Sequence, residues 1–203
     1  MNQPQVSGSK VFWLLKRFFD VIISLLLLPV MVVLALLLLI LNTTFKFGPV
    51  FFLQDRMGLN CVCFKAIKFR TMLDNNTAKR EFNDPLEFNR ITWLGKILRQ
   101  FRLDEVPQII NVLRGDMSLI GPRPDYYEHA LIFVEKIEEY RWRHLIKPGI
   151  SGLAQIRIGY AEGLGDTKKK VAVDLYYVKN ASLSLDVKIF ISTIITIFKR
   201  DGI

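Results

Sequence analysis

One continuous apolar segment near the amino end dominates the hydrophobic pattern of this chain. Residues Val21 to Leu41 form a run of 21 residues without a charge, and only Ser24 and Pro29 interrupt its apolar character. As a helix, this run would extend about 31 Å, which is close to the hydrocarbon thickness of a bilayer. The run is longer than the apolar part of a secretory signal and no small-residue cleavage site follows it. We therefore expect it to stay in the membrane.

Two features of this segment bear on how it enters the membrane. Pro29 lies near its centre, where proline removes a backbone hydrogen bond and favours a kink. Basic residues flank both ends, so the positive-inside rule favours a cytoplasmic position for both. A helix that dips into the bilayer, bends at Pro29 and returns satisfies this preference. A straight transmembrane span is the alternative, because long domains can cross a membrane regardless of their charge. The flanking basic residues are Lys10, Lys16, Arg17 and Lys46.

Beyond the apolar segment the pattern changes to short alternating and amphipathic stretches. Residues 50–72 alternate and turn as short strands do, and the hydrophilic residues 74–89 are typical of a surface loop. Ile91 to Arg102 has helical spacing with a basic side, which suits either an anionic membrane surface or a core-facing helix with solvated basic residues. Further helices are predicted over 104–113, 128–145, 171–177 and 185–199, with turns or loops at 121–124, 147–152 and 161–166.

These elements predict an α+β fold that is mostly helical. We expect an N-terminal tail and membrane helix over residues 1–47, followed by a compact cytosolic domain over residues 48–203 with amphipathic helices at the membrane interface. The terminal helix at 185–199 contains Asp186 and Lys188 and is too short an apolar run to span a bilayer. It is therefore expected to be packed or interfacial.

The charge of the chain narrows its partners. The 203 residues include 28 Lys and Arg against 19 Asp and Glu, which gives a net charge of +9. This charge favours phosphates, acidic lipid headgroups or nucleic acid as partners. Charged residues make up 23% of the chain, which excludes a polytopic membrane bundle. Cys61 and Cys63 are too close for an unstrained disulfide and lack zinc-ligand neighbours, so two free thiols in a reducing compartment are expected.

The stretch from Arg99 to Gln108 carries the clearest chemical signal. It places two adjacent carboxylates, Asp104 and Glu105, at a predicted helix N-terminus among basic residues. A structural interpretation is a helix cap followed by an acid that the helix dipole favours. In a catalytic interpretation, one carboxylate attacks phosphorus to form an acyl phosphate while a second holds Mg²⁺. Arg123 lies between two prolines, which suits phosphate binding but equally fits an exposed turn.

Other classes of function find little support in the sequence. The chain has no Walker A loop, dinucleotide fingerprint or zinc-protease motif. No nucleic-acid partner is expected, because the chain has no RRM, zinc-finger or helix-turn-helix pattern. His129 and His144 have no evident Ser or Cys partner and are interpreted as incidental. A non-enzymatic, membrane-anchored basic module that binds acidic lipid or polysaccharide is the alternative to an enzyme, although it leaves the adjacent acids unexplained.

Seven motifs in a fixed order make the chain similar to the bacterial sugar transferase family, the monotopic phosphoglycosyl transferases. The similarity extends from about Lys16 to Arg200, nearly the whole chain, and seven such blocks in order are not a chance match. The motifs are Lys16-Arg-Phe-Phe-Asp20, residues 48–58, Lys68-Phe-Arg-Thr-Met72, residues 103–108 with Asn111, residues 115–124, residues 148–155 and residues 174–180.

This resemblance implies an activity. Such enzymes transfer a sugar-1-phosphate from a UDP-sugar to a polyprenyl phosphate, usually undecaprenyl phosphate, and release UMP. By the resemblance, Asp104 is the nucleophile that takes the phosphosugar covalently, and Glu105 is its partner and helps to hold Mg²⁺. The residues expected to face the substrate phosphates are Arg99, Arg123, Lys68 and Arg70.

The resemblance also implies a place in the cell. The family is expected on the cytoplasmic face of the bacterial inner membrane, among its lipids, through a re-entrant helix broken at a Ser-Pro pair. In this chain the pair is Leu28-Pro29, so the proline matches and the serine does not. The sequence leaves open which UDP-sugar is used, which glycan is built and whether the protein forms a homodimer.

Overall fold

Seven α-helices and four short strands make up the described part of the computed structural model, which comprises residues 3–45, 48–73, 88–159 and 163–198. The predicted α+β, mostly helical class is confirmed. Residues 74–87 of the predicted surface loop lie outside the described residues. In chain order the elements are α1 (Lys10–Phe45), β1 (Phe51–Met57), β2 (Cys63–Phe69), α2 (Trp93–Gln100), α3 (Gln108–Arg114), β3 (Ser118–Ile120), α4 (Tyr127–Lys136), β4 (Gly149–Ser151), α5 (Leu153–Arg157), α6 (Gly163–Asn180) and α7 (Leu183–Phe198).

The first helix is the membrane candidate. Among the described residues, α1 is the one helix long and apolar enough to cross a bilayer, over Lys10–Asn42, and its most apolar 18-residue window has a mean hydropathy of 3.2. The helix continues through Pro29 without an interruption of its helical assignment. The bend that the sequence predicts there therefore stays a prediction.

One face of α1 packs against the rest of the protein along most of its length. The buried positions recur every four or seven residues, as one helix face requires, and the other faces expose large apolar side chains. Near its start this face joins a cluster with α6 and α7, and near its end a cluster with β2, α2 and α3. Both halves of the apolar helix thus contact the same domain. The buried residues of this face are Phe12, Lys16, Asp20, Ser24 and Met31.

Polar contacts fix the first half of α1 in place. The Nζ atom of Lys16 donates to Oδ2 of Asp186 in α7 at 2.6 Å, and both side chains are buried. Arg17 donates to the carbonyl oxygens of Val112 at 2.6 Å and Leu113 at 3.0 Å, which satisfies acceptors at the carboxyl end of α3. Buried charges are costly unless paired, so these contacts specify one position for the helix on the domain.

Two pairs of strands complete the fold. β1 and β2 form an antiparallel hairpin in which Phe52 pairs with Lys68 and Gln54 pairs with Ala66. This agrees with the strands predicted in residues 50–72. β3 and β4 are parallel, which the sequence did not predict, because β4 lies in a stretch interpreted as a loop. Three-residue strands carry too short a pattern to be recognised locally, and their pairing depends on residues 31 positions apart, Ser118 and Gly149.

Several predicted helix boundaries are corrected. The helix predicted over 128–145 ends at Lys136, because Ile137 is extended, and a 3-10 turn over Tyr140–Leu145 follows. The helix predicted over 171–177 is longer and begins at Gly163, inside the stretch interpreted as a loop. The terminal helix runs over Leu183–Phe198, as expected within a few residues. Cys61 and Cys63 are free thiols.

Candidate active site

One face of the β1–β2 hairpin carries the first cationic groups of the site. Paired residues of an antiparallel ladder, and every second residue along a strand, point to the same face. Gln54, Arg56 and Lys68 therefore share one face, with the small Ala66 between them. Arg56 is fixed there, because its Nε and Nη2 atoms donate to Oε1 of Gln54 and its Nη1 atom donates to the carbonyl of Pro124.

The two adjacent acids lie in a 3-10 turn over Leu103–Glu105 that joins α2 to α3. Arg102 has a left-handed backbone with a φ of 54°, which reverses the chain just before the acids. The sequence predicted that Asp104 begins the following helix as its cap. This prediction is wrong, because α3 begins at Gln108, and Pro107, which has no backbone N–H group, occupies the preceding position.

Arg123 is presented by a loop whose backbone is tightly held. Gly121 and Gly149 lie so close that a Cβ atom on Gly149 would be 2.1 Å from the backbone nitrogen of Gly121. Gly149 donates its backbone N–H to the carbonyl of Pro122 at 3.0 Å, and Gly121 donates to that of Ser151 at 2.9 Å. Only glycine permits this approach of two backbones, so the two glycine-containing motifs are needed to orient Arg123.

Glu105 binds two of the cations of the site. Its side chain is 7% exposed. Its Oε1 atom accepts from Nζ of Lys68 at 2.7 Å, and Arg123 holds both of its oxygens in a forked contact, with Nη1 at 2.8 Å from Oε2. Burial alone would raise the pKa of Glu105, but Arg123 and Lys68 hold it well below its usual range. Glu105 is thus ionised at neutral pH and binds two cations.

Asp104 has a different environment although it is the next residue. Among the described residues, no side chain donates a hydrogen bond to its carboxylate. Burial and the neighbouring charge of Glu105 raise its pKa, while Lys68, Arg123 and Arg99 oppose that rise. Adjacent carboxylates with pKa values moved in opposite directions are typical of groups with separate chemical roles. A half-buried carboxylate that accepts no hydrogen bond from the described residues and lies near several cations is suited to nucleophilic attack on an anionic substrate.

The two remaining predicted phosphate-binding residues, Arg99 and Arg70, differ in their relation to the acids. Arg99 donates from Nε to Oγ1 of Thr71 at 2.9 Å and is close enough to lower the pKa of Asp104. Arg70 donates from Nε to the carbonyl of Pro49 at 3.0 Å, and its guanidinium carbon lies 5.7 Å from the centre of the Phe52 ring. The site therefore brings Lys68, Arg99 and Arg123 together with the two acids, whereas a role for Arg70 there stays a prediction.

The comparison with known protein families decides the family of this chain. A family described as "Bacterial sugar transferase" matches residues 11–200. The chain belongs to the bacterial sugar transferase family. The family prediction made from the seven motifs is thereby confirmed.

Individual members of the bacterial sugar transferase family are similar to this chain over most of its length. An Aeromonas hydrophila protein named UDP-N-acetylgalactosamine-undecaprenyl-phosphate N-acetylgalactosaminephosphotransferase is 42% identical over 96% of this chain and 46% of its own length. The exopolysaccharide production protein PSS of Rhizobium leguminosarum is 38% identical over 92% of this chain and 96% of its own length. The UDP-glucose:undecaprenyl-phosphate glucose-1-phosphate transferase of Escherichia coli is 39% identical over 92% of this chain. This chain spans 40% of that protein, so it is less than half as long as two of these three relatives.

A buried ionic network behind Arg123 was missed by the sequence analysis. The fully buried Arg143 donates from Nη2 to the backbone carbonyl of Arg123 at 2.6 Å and also pairs with Asp125 and Asp174. Lys170 pairs with the second oxygen of Asp125. Burial alone would raise the pKa of Asp125, but Lys170 and Arg143 hold it well below its usual range. Asp174 belongs to one of the seven motifs, and this was the only signal for the network.

Arg56 and Gln108 were missed for a different reason. Both lie inside motifs that identify the family, but no pattern separated them from their neighbours. In the structure, they line a small cavity with Lys68, Arg123, Ala66 and Pro124. Their proximity arises from the packing of β2 on α3 and from the contact of Arg56 in β1 with the 121–124 loop, which no local spacing encodes.

Glu105 does not fit the metal-ligand role that the resemblance implies. Its two oxygens already accept three N–H groups from Lys68 and Arg123, and those cations would repel Mg²⁺. Among the described residues, no group of three or more His, Cys, Asp or Glu could hold a metal ion. Mg²⁺ commonly binds one carboxylate together with substrate phosphates, and Asp104 has oxygens available for that. The Mg²⁺ requirement stays a prediction.

Proposed function

We propose that this protein transfers a sugar-1-phosphate from a UDP-sugar to undecaprenyl phosphate and releases UMP. The printed names of the Aeromonas and Escherichia relatives support the class of substrates, and family membership supports the class of reaction. The observation that carries the proposal is the contrast between the two acids. Glu105 is bonded by two cations, whereas within the described part of the chain Asp104 accepts no hydrogen bond and lies near cations.

The charge of the site supports an anionic donor. Lys68, Arg99 and Arg123 lie near the acids and Arg56 lies near Lys68, so the four cations of the site outnumber its two carboxylates by two. The diphosphate of a UDP-sugar carries two negative charges, so it would neutralise this excess. Attraction by partly buried cations is strong where water is scarce, because the effective dielectric constant is low.

The proposed reaction has two displacements. An oxygen of Asp104 attacks the phosphorus that carries the sugar; the new O–P bond forms as the bond from that phosphorus to the bridging oxygen breaks. The bridging oxygen leaves with UMP. A phosphate oxygen of the lipid then attacks the same phosphorus and displaces the Asp104 carboxylate. Lys68 and Arg123, oriented by Glu105, stabilise the charge on the equatorial oxygens in both steps.

We further propose that α1 is a re-entrant helix that anchors the domain at the cytoplasmic face of the inner membrane. Both halves of α1 pack on the same domain, through clusters around Phe12 and Met31. This arrangement favours both ends on one side, because a domain on one side of a bilayer is in reach of only one end of a straight span. Residues 1–47 would then be the anchor and residues 48–203 the catalytic domain.

The activity is tested by measuring UMP release. Detergent-solubilised protein with Mg²⁺, undecaprenyl phosphate and a panel of UDP-sugars, including glucose and N-acetylgalactosamine, should release UMP from at least one donor. Asp104→Asn should abolish release. Asp55→Asn is the matched control, because Asp55 is exposed and makes only a long ion pair at 3.7 Å with Lys65. A normal initial rate in Asp104→Asn would refute the covalent role.

The covalent intermediate can be trapped by omitting the lipid acceptor. Wild-type protein given donor alone should gain the mass of one phosphosugar on the peptide that contains Asp104, when digested under conditions that preserve acyl phosphates. The Asp104→Asn variant should not. Accumulation of UMP while this peptide is unmodified would exclude the two-step route.

The topology is tested by cysteine labelling. In a chain with Cys61 and Cys63 replaced by serine, Ser7→Cys and Ser182→Cys should both be protected from a membrane-impermeant reagent added to the periplasm. Labelling of Ser7→Cys alone would establish a straight span and refute the re-entrant helix.

The alternative of a non-enzymatic basic module is supported by the +9 charge and the apolar anchor. It predicts binding of acidic lipid vesicles with no UMP release from any donor. It does not explain why two adjacent carboxylates lie among cations and why, among the described residues, only one of the two is bonded by them.

A further inference from the structure

Gln108 is a buried polar residue that the reaction as described above does not use. It is the first residue of α3, and its side chain and backbone together are 3% exposed. No residue in the described ranges forms a hydrogen bond with its side-chain amide. The nitrogen and oxygen of this amide are not fully buried, so the amide is open to a ligand atom that can complete its hydrogen bonds.

The amide lines a cavity of about 10 Å³. A polar cavity of this size holds one water-sized atom, and not a whole phosphate group. Its other polar walls are Arg56, Lys68 and Arg123, so its lining carries three positive charges and one amide. These walls suit a single oxygen atom with negative charge.

The same walls connect the cavity to the proposed nucleophile. Lys68 and Arg123 both lower the pKa of Asp104 and both bind Glu105, so they lie between the cavity and the acids. Arg56 is fixed at the opposite side by Gln54 and by the carbonyl of Pro124. A substrate oxygen in this cavity would therefore belong to a group that lies near Asp104, and hydrogen-bond donors would surround this oxygen on several sides.

We propose that Gln108 and Arg56, together with Lys68 and Arg123, bind one non-bridging oxygen of the phosphoryl group that Asp104 attacks. The position has room for one water-sized atom, which in the bound state would be this substrate oxygen. The inference rests on the proposed function. It adds two substrate-contacting residues and a stereochemical consequence, because a single-atom position distinguishes the two non-bridging oxygens of that phosphorus.

The first measurement compares kcat for Gln108→Met with wild type. Methionine has a similar volume but donates no hydrogen bond, so the position loses one donor while the packing of α3 is kept. Removing one such donor from a preorganised oxyanion site costs about 10²-fold in kcat. Asn180→Leu is the matched control, because Asn180 is an exposed amide at the end of α6 that donates to the carbonyl of Tyr176. Equal melting temperatures establish that both variants are folded.

The second measurement uses donors with sulfur in place of one non-bridging oxygen on the sugar-bearing phosphorus. Sulfur is larger than oxygen and accepts weaker hydrogen bonds, so wild-type protein should use one diastereomer much more slowly than the other. Gln108→Ala enlarges the cavity and removes the amide, and it should reduce this preference at least tenfold. A purely structural role of Gln108 would slow both diastereomers equally and leave their ratio unchanged.

An unchanged ratio of the two diastereomers' rates in Gln108→Ala, or an unchanged kcat in Gln108→Met, would overturn the inference. The proposed function would stand in that case, provided that the wild-type protein releases UMP. If wild-type protein releases no UMP from any UDP-sugar, the proposed function itself fails, and the substrate oxygen assigned to this cavity fails with it.

Discussion

Replacement of Glu105 by glutamine tests whether this residue anchors cations or binds a metal. In the wild type, the Nζ atom of Lys68 lies 2.7 Å from Oε1, and Nη1 of Arg123 lies 2.8 Å from Oε2. At an effective dielectric constant of about 20, one contact at this distance is worth about 6 kcal/mol of gross attraction, most of which offsets desolvation. Removing one partner of a buried pair typically costs about 3–5 kcal/mol. The cost for Glu105→Gln should lie at the lower end of this range, because the side chain of Arg123 is 26% exposed and water can partly solvate it.

The sign of the pH dependence follows from the depressed pKa of Glu105. A carboxylate with a lowered pKa in the folded state contributes stability above its ordinary pKa and loses that contribution as the pH falls towards the lowered value. Glu105→Gln should therefore be less stable than wild type at pH 7. The deficit should shrink below about pH 4.3, where the unfolded glutamate is protonated. A bound diphosphate would neutralise Lys68 and Arg123, so ligand should stabilise the variant more than the wild type.

Thermal unfolding in detergent, with and without UDP, measures these effects. For a chain of this size a loss of 3 kcal/mol lowers the melting temperature by about 6–12 °C. Glu135→Gln is the matched control, because Glu135 is exposed and lies on α4. The Mg²⁺ concentration that gives half-maximal UMP release should not change in Glu105→Gln. Equal melting temperatures together with a strongly raised Mg²⁺ requirement would refute the anchoring role and restore the metal role.

Three further predictions concern the parts around this anchor. The pKa of Asp104 is raised and the nucleophile must be ionised, so the initial rate of UMP release should fall, as the pH is lowered, with a midpoint above the ordinary aspartate pKa of about 3.9. A midpoint at or below that value would contradict the raised pKa. Arg143→Met leaves the buried Asp174 without the arginine that pairs with it and removes one of the two cations at Asp125, so thermal unfolding should detect a loss of about 3–5 kcal/mol; an unchanged melting temperature would exclude this. Gly149→Ala would place a methyl group 2.1 Å from the backbone nitrogen of Gly121, so circular dichroism melts should show that the free energy of unfolding falls by at least about 1–3 kcal/mol. A melting curve equal to that of wild type would refute the close approach.

Local patterns were sufficient to predict the hairpin, the apolar helix and the family. The alternation in residues 50–72 corresponds to β1 and β2, and the uncharged run from Val21 to Leu41 lies within α1. Each of these signals lies within a short stretch of chain, where the spacing of apolar residues reflects which face of a single helix or strand is buried. The acids at 104 and 105 were found in the same way, because adjacent carboxylates among basic residues are unusual.

The features that the sequence did not reveal are those made by distant residues. The parallel pair β3–β4, the Arg143 network and the cavity at Gln108 each join segments that are tens of residues apart. The capping prediction for Asp104 failed because Arg102 adopts a left-handed backbone, and a non-glycine residue carries no clear sequence signal for that conformation. The different environments of Asp104 and Glu105 also depend on which cation reaches which oxygen, and spacing alone does not encode that.

The packing of α1 links the depth of the anchor to the position of the acids. The second half of α1 packs, through Leu28, Met31 and Leu38, in one cluster with Leu103 and Val106, which flank the acids in sequence. The turn that carries Asp104 is therefore held between the apolar helix on one side and the cations of β2 and the 121–124 loop on the other. If α1 is embedded as proposed, this contact places the nucleophile at the level of the lipid headgroups. There it can meet a lipid phosphate that cannot leave the membrane and a nucleotide sugar that cannot enter it.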